Sequence, residues 1–171
     1  RIMKQYENRF SDYSFIGPSP IDYDTIEYED RCVWDDLCHF DLRNYLGKKK
    51  YIGIIFNTDI HTNEGKHWIS LFIDIPKTSI YFFDSIGSMP PSQVEKFMSK
   101  VQNDANEAGM QMNIYRNQLQ HQMADGECGM YCLYFIISLL QHDHDFEYFQ
   151  NHRVPDEEMT RYRMKYYNDP T

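Results

Sequence analysis

The feature that most constrains this chain is the apolar run from Met130 to Leu140, entered through the polar, glycine-containing stretch Asp125-Gly126-Glu127-Cys128. Such a run must be covered on all sides. It falls short of the roughly 18 residues a membrane span needs, so it reads as a buried central helix beginning near Gly129. A fold that buries a whole helix needs other layers around it, and 171 residues in one domain suffice for that. The aromatic share is 16 %, which argues for a packed core over disorder.

Other stretches supply candidate layers. Tyr51-Ile52-Gly53-Ile54-Ile55-Phe56, His67 to Ile75 and Ser79 to Phe83 read as short strands rich in β-branched and aromatic residues. They are apolar on both faces, so the sheet is expected to be covered on both sides. Asn57 to Lys66 reads as a polar loop, and Gln111 to Arg116 as a fourth strand. Pro90 and Pro91 open a helix with Val94, Phe97, Met98, Val101 and Ala105 at helical spacing, ending near Gly109. Asp35 to Leu46, closed by Gly47, predicts a short amphipathic helix, and Pro155 starts a last one. Residues 1–30 predict a short helix followed by a wrapping stretch, within an N-terminal segment, residues 1–46, that wraps the domain. The expected class is α+β: a small central mixed sheet packed by helices, with the buried helix at its centre, in one domain over residues 1–171. The chain opens on Arg1, as a piece of a longer protein would.

The formal net charge is −9, which disfavours nucleic acid held through phosphate contacts. Lys48-Lys49-Lys50 reads as a solvated turn before a strand. Four cysteines occur, at 32, 38, 128 and 132, and no signal peptide is visible, so reduced thiols in a cytosol-like compartment are expected.

Cys128 stands where a polar loop becomes an apolar helix. Unpaired backbone N–H groups and the positive end of the helix dipole favour a thiolate there. Gly129 beside it leaves room for a substrate backbone. Taken alone, Cys128 reads equally as a small core residue, and Cys132, inside the apolar run, reads only as that. A thiolate needs a base. Of seven histidines, His67 stands at a loop-to-strand junction, a rigid mount for an imidazole, whereas His39 falls on a short helix and His61, His142, His144 and His152 in polar loops or segments. Asp84 ends the strand after the one His67 begins. If those strands are antiparallel neighbours the two residues meet, and a carboxylate there would fix the imidazole tautomer. An oxyanion donor is also needed beside the Cys128 N–H. Gln122 is a candidate, with Gln118, Gln120 and His121 as competitors. A zinc site from Cys128, Cys132, His142 and His144 is another reading, although its final H-x-H is short for one.

The ordered set resembles a known family. His67-Trp68, Phe83-Asp84-Ser85 and Gln122 through Glu127-Cys128-Gly129-Met130-Tyr131 resemble the motifs of the SUMO-protease and adenovirus-protease (adenain-like) superfamily, in the order His, Asp, Gln, Cys with Gln six residues before Cys. Glu127 departs from the Asp many relatives carry. Gly17-Pro18 and His152-Arg153-Val154-Pro155-Asp156 are similar to the proteases of large cytoplasmic DNA viruses, of the African swine fever virus type. The resemblance implies a papain-like site on a distinct fold with His67, Asp84 and Cys128 as triad and Gln122 at the oxyanion. It implies cleavage of structural or polyprotein precursors after Gly-Gly during virion maturation, in the host cytoplasm and virion. The cleft would be narrowed by Trp68 and, on a partial motif match, by Trp34. It implies no metal or cofactor, a protein substrate with Gly-Gly-X sites and no membrane partner; a monomer is favoured. A deconjugating isopeptidase for SUMO or ubiquitin-like modifiers, an acyltransferase, and a non-catalytic protein-binding module on the same fold stay open.

Overall fold

In the computed structural model, residues 1–62 and 67–168 are described. The chain forms helices α1 (Ile2–Arg9), α2 (Asp35–Cys38), α3 (Ser92–Glu107), α4 (Cys128–Leu140), α5 (Phe146–Asn151) and α6 (Asp156–Asn168). The strands are β1 (Tyr13–Pro20), β2 (Ile26–Tyr28), β3 (Arg31–Cys32), β4 (Tyr51–Asn57), β5 (Trp68–Asp74), β6 (Ser79–Phe83) and β7 (Asn113–Arg116). Residues 63–66 of the expected polar loop lie outside the described residues.

Five strands form one mixed sheet in the order β1-β4-β5-β6-β7. The central pairs β4/β5 and β5/β6 are antiparallel, and the edges β1/β4 and β6/β7 are parallel. Alternation along β5 explains why its sequence is apolar on both faces. Ile69, Leu71 and Ile73 enter one core with Val94, Phe97, Met98 and Val101 of α3. Phe72 enters the other core with Met130 to Leu140 of α4. Side chains point alternately to the two faces of a strand, so each face meets its own helix. Twelve of the 13 residues of α4 are buried, as the apolar run requires. Among the described residues, no helix is long and apolar enough to cross a membrane.

The N-terminal third departs from the expectation. Residues 13–20 do more than wrap: they form edge strand β1, paired with β4 from Tyr13 opposite Tyr51 onward. The predicted helix over 35–46 is broken. Only α2 and a 3-10 turn at Leu42–Asn44 form, because extended Asp41 caps that turn through the Arg43 N–H at 3.0 Å. The Leu42 N–H is taken by the buried Asp104 carboxylate of α3 at 3.0 Å. Tertiary partners thus outcompete one continuous amphipathic helix. Helix α5 was not expected from the sequence; the Asp145 side chain caps it at the Tyr148 N–H.

The expectation of four reduced thiols is also corrected. Cys32 and Cys38 form a disulfide across the short turn between β3 and the end of α2, where their Cα atoms lie 6.3 Å apart, within bridging reach. Cys128 and Cys132 are free.

Candidate active site

The antiparallel register does what the strand order suggested. Ser70 of β5 pairs with Phe83 of β6, so the residue entering β5 and the residue leaving β6 stand side by side. His67 Nε2 lies 2.9 Å from Asp84 Oδ1. That oxygen also accepts the Ile86 N–H at 2.9 Å. A carboxylate oxygen only accepts, so Nε2 carries a proton and Nδ1 is the ring nitrogen left for another partner. That partner is the Cys128 thiol, which hydrogen-bonds to the same imidazole.

Cys128 is the first residue of α4. Burial alone would raise its thiol pKa. The hydrogen bond to His67, the backbone N–H groups of Trp68 and Gly129, and the charge of His67 outweigh burial and lower it below the ordinary thiol value. Reciprocally, the Asp84 hydrogen bond, then the Cys128 one, lift His67 to about 9 against burial. Each shift stabilises the charge on the partner, so the geometry favours a thiolate–imidazolium pair. One turn on, Cys132 is 1 % exposed, and burial pushes its thiol well above the ordinary value.

Of the three glutamines in this loop, Gln122 is buried and Gln118 and Gln120 are exposed. Its Oε1 accepts from the Ser85 hydroxyl at 2.7 Å and its Nε2 donates to the Ala124 carbonyl at 2.6 Å. The competitor His121 is spoken for. Its Nε2–H donates to the Phe149 carbonyl at 2.8 Å and its Nδ1 accepts the Val154 N–H at 2.9 Å. Burial lowers its pKa, consistent with a neutral structural imidazole.

A cleft of about 900 Å³ opens at Cys128 and is lined by Trp34, Trp68, Gly17, Pro18 and Gly129, among others. Both tryptophans thus lie on the wall of the cleft at Cys128. A Cβ added to Gly129 would meet only Trp68 Cδ1, at 3.9 Å. The position leaves space beside Cys128 instead of filling a tight contact.

The zinc reading of Cys128, Cys132, His142 and His144 fails geometrically. The two cysteines lie in the first turns of the 13-residue α4 and the histidines follow its end, at about 1.5 Å per residue nearly a helix length away. His142 packs on Tyr51 and His144 stacks on Tyr148. Among the described residues, the group close enough to share an ion is Cys32, Cys38 and His39, and there the two sulfurs are bonded to each other.

Several site residues were missed by reasoning from spacing. Asn117 clamps the Asp84 backbone, accepting its N–H at 2.9 Å and donating to its carbonyl at 2.7 Å. Gly87, at φ +78, closes the turn after Asp84 with its N–H on the Asp84 carbonyl at 2.9 Å, and a Cβ there would strike the Gln118 carbonyl. Asp156 holds the loop between Gln122 and Cys128, accepting from the Met123 and Ala124 N–H groups and the Tyr131 hydroxyl. Asp156 does lie in the C-terminal motif that carried part of the resemblance. Nothing in the spacing marks Asn117.

Residues 37–170 match the family described as Ulp1 protease family, C-terminal catalytic domain. Over 141 residues the chain is 31 % identical to a thiol protease of Acanthamoeba polyphaga mimivirus, which covers 82 % of this chain and 45 % of that protein. It is 32 % identical over 114 residues to a SUMO-1 cysteine protease of African swine fever virus, covering 65 % of this chain and 41 % of that protein. The fold is similar to the crystal structure of an African swine fever virus protease, with a TM-score of 0.79 at 23 % identity over 95 % of this chain and 62 % of that one. The chain spans less than half the length of these two curated relatives.

Proposed function

The chain belongs to the Ulp1 protease family of cysteine peptidases, and from that premise we propose that it is an endopeptidase cleaving viral structural or polyprotein precursors after Gly-Gly. The observation that carries the reading is the linked set Asp84, His67 and Cys128, with the His67–Asp84 contact at 2.9 Å and opposite pKa shifts on His67 and Cys128. The Cys128 thiolate attacks the scissile carbonyl carbon. The carbonyl oxygen gains the displaced electron pair and is met by the Cys128 N–H and the Gln122 amide. When the tetrahedral species collapses, the C–N bond breaks and the His67 imidazolium gives its proton to the leaving amine. Water, deprotonated by the now neutral His67, then hydrolyses the thioester and frees Cys128. Asp84 keeps the imidazole in the productive tautomer throughout.

Trp34 and Trp68 over the cleft support a passage suited to glycines, and the two viral relatives support a viral protease, whose work on precursors would fall during particle maturation in the host cytoplasm and virion. All the groups of this site come from one chain, which supports action as a monomer. One relative is named a SUMO-1 cysteine protease, so deconjugation is the second reading. The two are separated by offering a Gly-Gly-X peptide and a SUMO-type conjugate side by side, with Cys128→Ala as control. Cleavage of the peptide at the Gly-Gly-X bond is expected. Activity on the conjugate alone would sink the precursor-cleaving reading.

A further inference from the structure

We propose that Ser85 is a positioning residue for the Gln122 amide, so that the dipeptide Asp84-Ser85 at the end of β6 sets both halves of the site. The inference rests on the peptidase reading above. Asp84 orients His67. Ser85, 1 % exposed, turns to the other side. Its hydroxyl meets Gln122 Oε1 at 2.7 Å, and its carbonyl accepts the N–H groups of both His121 and Gln122 at 2.8 Å.

Chemistry decides which end of the amide is which. The Ala124 carbonyl can only accept, so the amide atom 2.6 Å from it is the nitrogen. The oxygen end therefore faces Ser85 and can only accept, which makes the hydroxyl the donor. One Nε2–H is consumed by Ala124, and the second is the one left for an oxyanion. Gln122 is 6 % exposed. Without the serine hydroxyl its buried Oε1 has no donor among the described residues, and rotating the amide by half a turn would set oxygen against the Ala124 carbonyl. Ser85 thus holds the amide in the orientation that presents N–H. Gln122 is in addition held by its own backbone, whose carbonyl accepts from Gln120 Nε2 at 2.9 Å, so the loop stays placed when the side chain is released.

The test compares turnover of a Gly-Gly-X peptide by the wild type, Ser85→Ala, Gln122→Ala, the double variant and Ser85→Thr. In parallel it measures Cys128 alkylation by iodoacetamide and affinity for a Gly-Gly peptide aldehyde, whose adduct with the thiol places an oxyanion in the same hole. Removing an oxyanion donor outright costs about 10²–10³ in kcat. Ser85→Ala is expected to lower kcat by about 10-fold with KM little changed, and to weaken the aldehyde by a similar factor. It should cost nothing further in the Gln122→Ala background. The alkylation pH profile should stay that of the wild type, and Ser85→Thr should recover turnover. If Ser85→Ala fails to fold, the nearly isosteric Ser85→Cys, a weak donor, is read the same way. A full-sized loss in the Gln122→Ala background, or an alkylation profile displaced as in Asp84→Asn, would overturn the assignment. Wild type that binds the aldehyde in a Ser85-dependent way but cleaves no peptide would sink the peptidase reading alone. Wild type that does neither would sink both.

Discussion

Two cysteine pairs in this molecule look alike in sequence and behave differently in space. Cys32 and Cys38, six residues apart, join across a turn. Cys128 and Cys132, four residues apart, stay free on α4. Positions i and i+4 share one face of a helix, yet here they meet different neighbours. Cys128 sits at the open end of α4 and faces His67, whereas Cys132 lies one turn deeper, fully enclosed in the core. Burial raises both thiols, and only at Cys128 do a histidine and two backbone N–H groups reverse the sign. Reactivity is thus set by what faces the sulfur, within a span of one helical turn. In the other pair the turn from β3 into α2 places Trp34 against the cleft, and the disulfide closes that turn.

The largest expected difference lies within the helical pair. Cys128→Ala should lower peptide turnover by about 10⁴-fold or more, since losing a nucleophile leaves little of the chemistry. Cys132→Ala should keep turnover within a few-fold and cost about 1–2 kcal/mol in urea unfolding, through the small cavity it leaves. If Cys132→Ala abolished turnover with its fold intact, the contrast between the two thiols would collapse.

The next effects act on charge. With a thiolate–imidazolium pair, activity rises as Cys128 deprotonates and falls as His67 loses its proton near pH 9. Asp84 holds the His67 pKa up, so Asp84→Asn should move the alkaline limb of the kcat/KM profile to lower pH. His67→Ala should cut turnover by about 10²–10⁴-fold and shift Cys128 alkylation towards higher pH, because the thiolate loses its partner. Stability follows the same sign. The raised His67 pKa contributes stability that is full below the ordinary value of 6.5 and is lost as pH rises through about 9. A Cys128 whose alkylation is insensitive to His67→Ala would favour a binding module over an enzyme.

The turn that carries the other pair should give the smallest effects on chemistry. Opening the Cys32–Cys38 loop with paired serines is expected to cost about 2 kcal/mol of stability while leaving kcat within about 3-fold. Trp34→Ala should raise KM several-fold at nearly constant kcat, because it removes a wall of the cleft without touching the proton path. A kcat loss exceeding that of Asp84→Asn would mean that the two regions are coupled far more tightly than their separation in the fold suggests.

The central sheet was legible because β4, β5 and β6 are short, mostly apolar runs bounded by polar turns, and α4 because its sequence admits nothing but burial. His67 and Asp84 were legible for a related reason. Each sits at a strand end, and an antiparallel neighbour relation is the simplest way to connect two successive strands. The broken helix over 35–46 was not legible, because the competing acceptor for the Leu42 N–H is Asp104, far along the chain on α3. Strand β1 was missed because its period is interrupted by Gly17-Pro18-Ser19-Pro20, where the pairing with β4 shifts register.

By itself the sequence determined the class of fold, the buried helix and the residue types a thiol site needs in their order along the chain, because hydrophobic period and local turn chemistry are written in neighbouring residues. Tertiary structure alone decided which glutamine faces a serine, which aspartate clamps the loop between Gln122 and Cys128, that Asn117 holds Asp84, and that two of four thiols are joined. Those outcomes depend on hydrogen-bond partners roughly 30 or more residues apart or on the path of a turn, and no local pattern carries that information.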